Sequence, residues 1–379
     1  MKRQLWPLAV CAFGYALVLA NSASAQPALP WMPCSGINLV DQAFPTSGPE
    51  QTHWRLCWEA MPKNGLVIHW AFFRPSPTAR WIWIFWDARV SDIFVPYHSG
   101  SPRYYDMSGF TFPMTAVGLA DCPASVGGTP LGPNVCKEVR DRGLLWKDDA
   151  KVRRGQELVL WGALDAANYN YVMEWTFRDD GMILGRVGAT AVNLPTVPFE
   201  THMHNPIWRL DIDLNGFPGD SVEFGTHTEG VPTPLAATDS ESSIATEGPR
   251  DWDPHSFNEL HIHDATLQNG KGDPTSLHLI ALPTGGLSRH DEAFTKHDFW
   301  VTRYNPSEMW ASNLPTYVGT PDPVSNADIV VWYKGSIHHH PRDEDGEVTG
   351  HGFLGEALVM WTGWMIKPHN LFDRTPFYP

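Results

Sequence analysis

The sequence predicts an all-β protein, one large and predominantly antiparallel β-sandwich. Three observations point there. Apolar residues alternate at period 2 or run unbroken over strand-length stretches, and convincing 3.6-residue periodicity is scarce. The 32 Gly and 33 Pro in 379 residues suit many strands joined by turns better than a helical bundle. A hydrophobic share of 42%, with 18 Trp and 18 Phe against 18% charged residues, supplies a large core and excludes wholesale disorder.

The elements follow in order. Residues 1–25 read as a signal peptide: Lys2 and Arg3, an apolar run from Leu5 to Ala20, and the small-residue site Ala23-Ser24-Ala25. Cleavage near Ala25 leaves 26–379 as a single domain, with a periplasmic or secreted destination. No later stretch is long and apolar enough to span a bilayer as a helix. "RWIWIFWDA" alternates Trp81, Trp83 and Phe85 with Ile82, Ile84 and Trp86, so the strand is apolar on both faces and belongs in the interior. "ELVLWGALDAANYNYVMEW" is a further extended stretch. "YVMEWTFRDDGMILGRVGATAV" reads as two strands joined by a turn at Asp179-Asp180-Gly181. The acidic, Pro/Ser/Thr-rich segment from about 232 to 256 reads as a long surface loop. "ADIVVWYKG" is another apolar strand, and no internal repeat is visible.

Charge and cysteine count narrow the function. With 27 Lys+Arg against 42 Asp+Glu, the formal net charge is -15. A nucleic-acid binder needs a basic footprint, so that class is excluded. Cys11 leaves with the leader. The other four cysteines read as two disulfides in an exported chain. Sequence order favours Cys34–Cys57 and Cys122–Cys136 among the three pairings possible. There is no CxxC, which argues against a thiolate metal site.

The sharpest metal signal is His202-Met203-His204. On a strand, residues i and i+2 share a face, so both imidazoles can reach one ion. His261-Ile262-His263 has the same spacing, and an isolated pair of this kind is weak evidence. His338-His339-His340 offers a third ligand from a distant strand end. Three imidazoles without a thiolate suit copper or zinc.

Several blocks now carry a family resemblance. "LLWKDDAKVRRGQELVLWGALDAANYNY", "ETHMHNPIWRLDIDLNG", "HDFWVTRYNP", "NADIVVWYKGSIHHHPRDEDG" and "KPHNLFDRTPFYP" resemble, in this order, segments of the copper amine oxidases, the topaquinone enzymes. The resemblance runs from about Gly65 to the C-terminus and covers the family's catalytic β-sandwich domain alone. It implies copper held by His202, His204 and His339, the last placed by counting from Trp332-Tyr333 and Pro341-Arg342. It implies a quinone made from Tyr169 in Asn168-Tyr169-Asn170-Tyr171, where Asn170 replaces the family's usual acid. "FVPYHSG" gives Tyr97 as the tyrosine that hydrogen-bonds the quinone. Fourteen residues later the family has the Asp that takes a proton from the substrate carbon; counting places Thr111 there, with Asp106 a carboxylate at a shorter offset. A threonine cannot serve as that base, so ordinary amine turnover is expected to be weak. A structural cation, usually calcium, is implied at Asp211, Ile212, Asp213, Asp328 and Ile329, a donor set of carboxylates and carbonyls that suits it.

The expected function is therefore an exported copper- and quinone-dependent oxidoreductase, taking a primary amine, O₂ and water to an aldehyde, ammonia and hydrogen peroxide. A homodimer is expected by the same resemblance. The alternative is a copper-binding protein or copper-only oxidase on the same scaffold. A carbohydrate- or partner-binding sandwich using its tryptophans as stacking platforms is a third reading, from a different class.

Overall fold

Strand follows strand along nearly all of the chain in the computed structural model, which describes residues 28–97, 102–194, 196, 200–217, 219–229, 237–282, 287–342, 345, 347–349, 352–354 and 360–376. In chain order these are β1 (Leu39–Phe44), β2 (Thr52–Met61), β3 (Gly65–Arg74), β4 (Ile82–Pro96), β5 (Arg103–Tyr105), β6 (Gly128–Leu131), β7 (Val135–Lys147), β8 (Val152–Ala166), β9 (Tyr169–Arg178), β10 (Ile183–Ala191) and β11 (His202–Ile212). They continue as β12 (Asp220–Thr228), β13 (Thr238–Ile244), β14 (Gly248–Arg250), β15 (Phe257–Gln268), β16 (Pro274–Leu282), β17 (Phe299–Arg303), β18 (Ile329–Lys334), β19 (Ile337–His339), β20 (Glu347–Thr349), β21 (Gly352–Leu354) and β22 (Met360–His369).

Two large antiparallel sheets form. The first runs β1-β2-β3-β4-β11-β18-β17-β14, with β5 added to β4 and β19 added to β11. The second runs β13-β12-β15-β16-β22-β10-β9-β8-β7-β6. The core lies between them, because alternate residues of both sheets are apolar and turn inward. Trp54 of β2 meets Phe177 of β9 at 5.1 Å between ring centroids. Phe85 of β4 meets Trp364 of β22 at 6.4 Å. The indole N–H of Trp175 in β9 donates to the Leu66 carbonyl of β3 at 3.1 Å, so its burial leaves no orphan donor.

The all-β sandwich is as expected, and so is the β9–β10 hairpin. Gly181 sits at φ 81° in its turn, a conformation that costs glycine nothing. Both disulfides pair as sequence order suggests, with Cα separations of 5.9 Å for Cys34–Cys57 and 5.7 Å for Cys122–Cys136.

Two readings need correction. The faces of "RWIWIFWDA" do not alternate through, because a bulge interrupts the pairing. Ala71 opposes Phe85 while Phe72 opposes Trp83, leaving Ile84 as the extra residue. Phe85 turns into the core at 0% exposure. Trp83 and Trp86 fall together on the other side, both against Trp70 at 4.9 and 4.3 Å. The segment from 232 to 256 is no plain loop either. Residues 232–236 lie outside the described ones, but β13 and β14 follow. β13 is polar because it is an edge strand, paired to β12 alone and almost wholly exposed. The leader, residues 1–25, lies outside the described residues. Among those described, no helix is long and apolar enough to cross a membrane.

Candidate metal centre

The site lies between the sheets, where β11 and β19 of one face β9 of the other. β11 opens with His202 and His204, and the i, i+2 spacing turns both inward; they are 2% and 0% exposed. β19 pairs with the start of β11 so that His339 lies directly opposite His202. His338 and His340 point to solvent while His339 is 3% exposed. One nitrogen of each of His202, His204 and His339 lies within 4.8 Å of the others.

Their hydrogen bonds fix which nitrogens carry lone pairs. His202 Nδ1 is 2.8 Å from the Glu200 carbonyl, which can only accept, so Nδ1 carries the proton and Nε2 the lone pair. His339 Nε2 donates to the Asp345 carboxylate at 3.0 Å, leaving the lone pair on Nδ1. Tyr171 gives its hydroxyl proton to Asp106 Oδ2 at 2.6 Å, so its oxygen accepts from His204 Nδ1 at 2.9 Å. His204 Nε2 then carries a lone pair, is buried, and has no hydrogen-bond partner. Burial also holds the pKa of His204 well below its ordinary value, and that of His339 below it, so both favour the neutral form that binds metals. Two lone-pair nitrogens, His202 Nε2 and His339 Nδ1, stand 3.3 Å apart. An orphaned imidazole nitrogen beside two converging lone pairs is what a resident cation would satisfy, so the donor set fits copper.

Tyr169 reaches the same point from the opposite sheet. Ala167 at φ 62° ends the β8–β9 turn, and the Asn168 amide donates to the Val192 carbonyl at 3.0 Å, fixing where β9 begins. The Tyr169 hydroxyl lies 2.6 Å from His202 Nε2 and 3.1 Å from His339 Nδ1. Its side-chain pKa is driven up, first by burial and then by the neighbouring Tyr97. Tyr97 hydrogen-bonds Tyr169 and stacks on the His202 ring at 4.1 Å; burial pushes its pKa up to about 12. Asn170 alternates outward and is exposed, so the replaced acid faces solvent rather than the metal centre.

Counting forward from Tyr97 leads to a residue away from this centre. Thr111 is exposed, outside the site. Asp106 is 8% exposed and bound through Tyr171 to His204. The cause is a tight turn: Gly109 N–H donates to the Tyr105 carbonyl at 2.8 Å, so the chain leaves the interior before residue 111. A fixed offset from Tyr97 takes no account of that turn. Burial raises Asp106 to about 7, with the nearby Asp92 adding to the shift. Tyr171, Glu200 and Asp345 are further parts that sequence reasoning missed. Only the alternation of Tyr169 and Tyr171 along one strand face hinted at the first.

A second carboxylate cluster sits where β11 ends. Asp211, Asp213 and Asp328 have oxygens within 4.8 Å of one another. Both oxygens of Asp213, and one each of Asp211 and Asp328, are buried without a partner. Ile212 and Ile329 are directly paired, Cα opposite Cα, between these acids. Burial raises Asp213 to about 8 and Asp328 to about 6. Asp220, not singled out from sequence, adds two more unpartnered oxygens and is raised by burial to about 9, with Asp213 the next cause.

Comparison with known proteins agrees with this geometry. Residues 192–378 match the family model described as copper amine oxidase, enzyme domain. Over these residues, close to half of the chain, the sequence is similar to that family's enzyme domain. It is 26% identical over 382 residues to a histamine oxidase of Arthrobacter globiformis, covering 83% of this chain and 54% of that one. It is 25% identical over 399 residues to N-methylputrescine oxidase 1 of Nicotiana tabacum, covering 86% and 49%. The chain thus spans about half the length of these curated relatives. In fold it is similar to a copper-containing benzylamine oxidase from Hansenula polymorpha, with a TM-score of 0.69 at 17% identity over 94% of this chain and 65% of that one. An Aspergillus nidulans amine oxidase gives 0.67 at 16% identity, covering 99% and 56%.

Proposed function

We propose that this chain is an exported, copper- and quinone-dependent oxidase of primary amines. One observation carries the reading: the imidazole lone pairs of His202 and His339 converge on the hydroxyl of Tyr169, and beside them the buried Nε2 of His204, the third of the cluster, has no partner. His202, His204 and His339 would hold the copper and Tyr169 would be the quinone precursor. Bound copper and the quinone together would supply the redox couple that takes an amine to an aldehyde and O₂ to hydrogen peroxide.

The chain's own residues do the rest. Tyr97, hydrogen-bonded to Tyr169 and stacked on His202, holds the Tyr169 oxygen in place. Asp106 takes the proton from the substrate carbon. Its pKa near 7 lets it bind and release a proton with little driving force lost in either direction. Tyr171 spans Asp106 and His204, so one hydroxyl sets the distance between the base and the metal ligands. Asp345 and the Glu200 carbonyl fix the tautomers of His339 and His202. The net charge of -15 favours cationic amines over acids. The copper-only alternative rests on a missing base, and the buried carboxylate of Asp106 beside the centre supports the amine oxidase reading over it.

The test is aerobic copper loading. A visible chromophore that reacts with a hydrazine should form, and Tyr169→Phe should abolish it while copper still binds. A copper-loaded protein that stays colourless moves the reading to the copper-only alternative.

Calcium at Asp211, Asp213 and Asp328, with the Ile212 and Ile329 carbonyls, belongs to the same proposal. So do cleavage near Ala25 and a homodimer. The two disulfides support an oxidising compartment. Light scattering at micromolar concentration should give twice the chain mass, and a monomer overturns the dimer.

A further inference from the structure

On the outer face of the second sheet a different set of ligands converges. His261 of β15 pairs directly with His278 of β16. Their rings stack at 3.8 Å, inclined by 17°. Glu259 lies two residues before His261 and so shares its face. A single oxygen of Glu259 lies 2.6 Å from His278 Nδ1 and 3.2 Å from His261 Nε2. One ligand atom from each of the three lies within 4.8 Å of the others. His263, the second member of the His-x-His pair, pairs instead with Ser276 and is outside this cluster.

The surroundings are built rather than incidental. His278 is 7% exposed, and Glu259 and His261 are half-buried. Gly225 of β12 leaves the room: a Cβ there would lie 2.8 Å from His261 Nε2. Glu241 of β13 stands 3.0 Å from His261 Nδ1, where it can accept that nitrogen's proton and leave Nε2 turned toward Glu259. Lys367 lies 3.7 Å from the other Glu259 oxygen, and the exposed His369 ring is 4.9 Å from His278. An open depression of about 360 Å³, lined by Gly225, Asp239, Glu241, Glu259 and His261, gives solvent access.

We propose that His261, His278 and Glu259 form a second metal site for a first-row divalent ion of the zinc type, separate from the centre between the sheets. Two imidazoles and a carboxylate are a ligand set that zinc accepts, with water completing four-coordination. One shared carboxylate oxygen serves both imidazoles in the metal-free arrangement. A divalent ion would satisfy all three groups together. The ion would tie β15 to β16 across a directly opposed pair, so the role is structural.

Zinc equivalents per full-length chain, counted by elemental analysis after dialysis at micromolar Zn(II), test this. The unmodified protein should hold two. His204→Ala, which empties the inner centre, should hold one. His278→Ala should also hold one, and the double variant none. Glu259→Gln keeps shape and most hydrogen bonding and guards against misfolding of the His variant; it should weaken the outer site by more than about tenfold. If His278→Ala and Glu259→Gln both bind as much zinc as the unmodified chain, the proposal is overturned. It is also overturned if the His204→Ala variant binds none. Neither outcome touches the amine oxidase reading, which rests on other residues.

Discussion

At the scale of single residues, the carboxylate beside the metal centre shows what counting along a sequence can and cannot do. Counting inward from flanks on both sides reaches His339, and it lies where the count puts it because β18, Gly335, Ser336 and β19 keep one register along β11 with no turn to absorb residues. Thr111 was reached by counting from Tyr97 alone, across a segment that turns back at Tyr105–Gly109. A hydrogen-bonded turn consumes residues without advancing the chain, so Thr111 lies outside the site while Asp106 lies within it, which supports Asp106 as the proposed base. Asp106→Asn should therefore lower kcat/KM for amines by about 10²- to 10⁴-fold while the chromophore still forms. Thr111→Ala should leave both unchanged. Only the carboxylate form of Asp106 can accept a proton. Its pKa is raised to about 7, so it is protonated and inactive below that value. In the unmodified enzyme kcat/KM should rise with pH through about 7, and the residual activity of Asp106→Asn should lack that rise. A variant with full activity and an unchanged pH profile would remove Asp106 from the role.

Among the elements, period-2 patterning exposed the buried strands and left the irregular ones obscure. β9, β10 and β18 could be read from sequence because each keeps one register throughout. The faces of β4 could not, because a bulge near Ile84 resets them, and bulges leave no period of their own. β13 was missed for the opposite reason: an exposed edge strand carries no apolar alternation to detect. The ends of β11 and β18 bring three acids together, while β12 adds Asp220 beside them. Like charges at that spacing repel when no cation is present. Chelating calcium should therefore lower the melting temperature, and adding it back should restore the loss. Asp213→Asn keeps the shape and replaces a carboxyl that burial raises to about 8, removing the cost of protonating it or burying its charge. It should abolish the calcium response and, in the calcium-free protein, raise stability by about 1–3 kcal/mol. A melting temperature indifferent to calcium in the unmodified chain would refute the cation site.

For the whole molecule, the decisive feature is that neither sheet holds the inner centre by itself. His202, His204, His339 and Tyr97 come from the first sheet or its margin, and Tyr169 and Tyr171 from the second. The three imidazoles all lie on the first sheet, but Tyr171 of the second fixes the His204 tautomer and Tyr169 meets His202 and His339, so metal binding and docking of the sheets should be thermodynamically linked through these contacts. An ion that binds the folded chain alone stabilises it by RT ln(1 + [L]/Kd), about 2.7 kcal/mol at a hundredfold excess over Kd. Copper should raise the melting temperature of the unmodified protein, and His339→Ala should abolish that rise. The converse can be read far from the metal. Trp364 is fully buried between the sheets, against Phe85 of the first and Trp175 of its own. Trp364→Phe removes part of that contact while keeping an aromatic ring. It should lower stability by about 1–3 kcal/mol and slow chromophore formation at Tyr169, although Trp364 touches no ligand. Saturating copper should recover part of the lost melting temperature, because the ion acts on the same folded state. If Trp364→Phe destabilises the chain but chromophore formation keeps its full rate, the two sheets are held at the metal centre by local contacts alone. The linkage would then be absent.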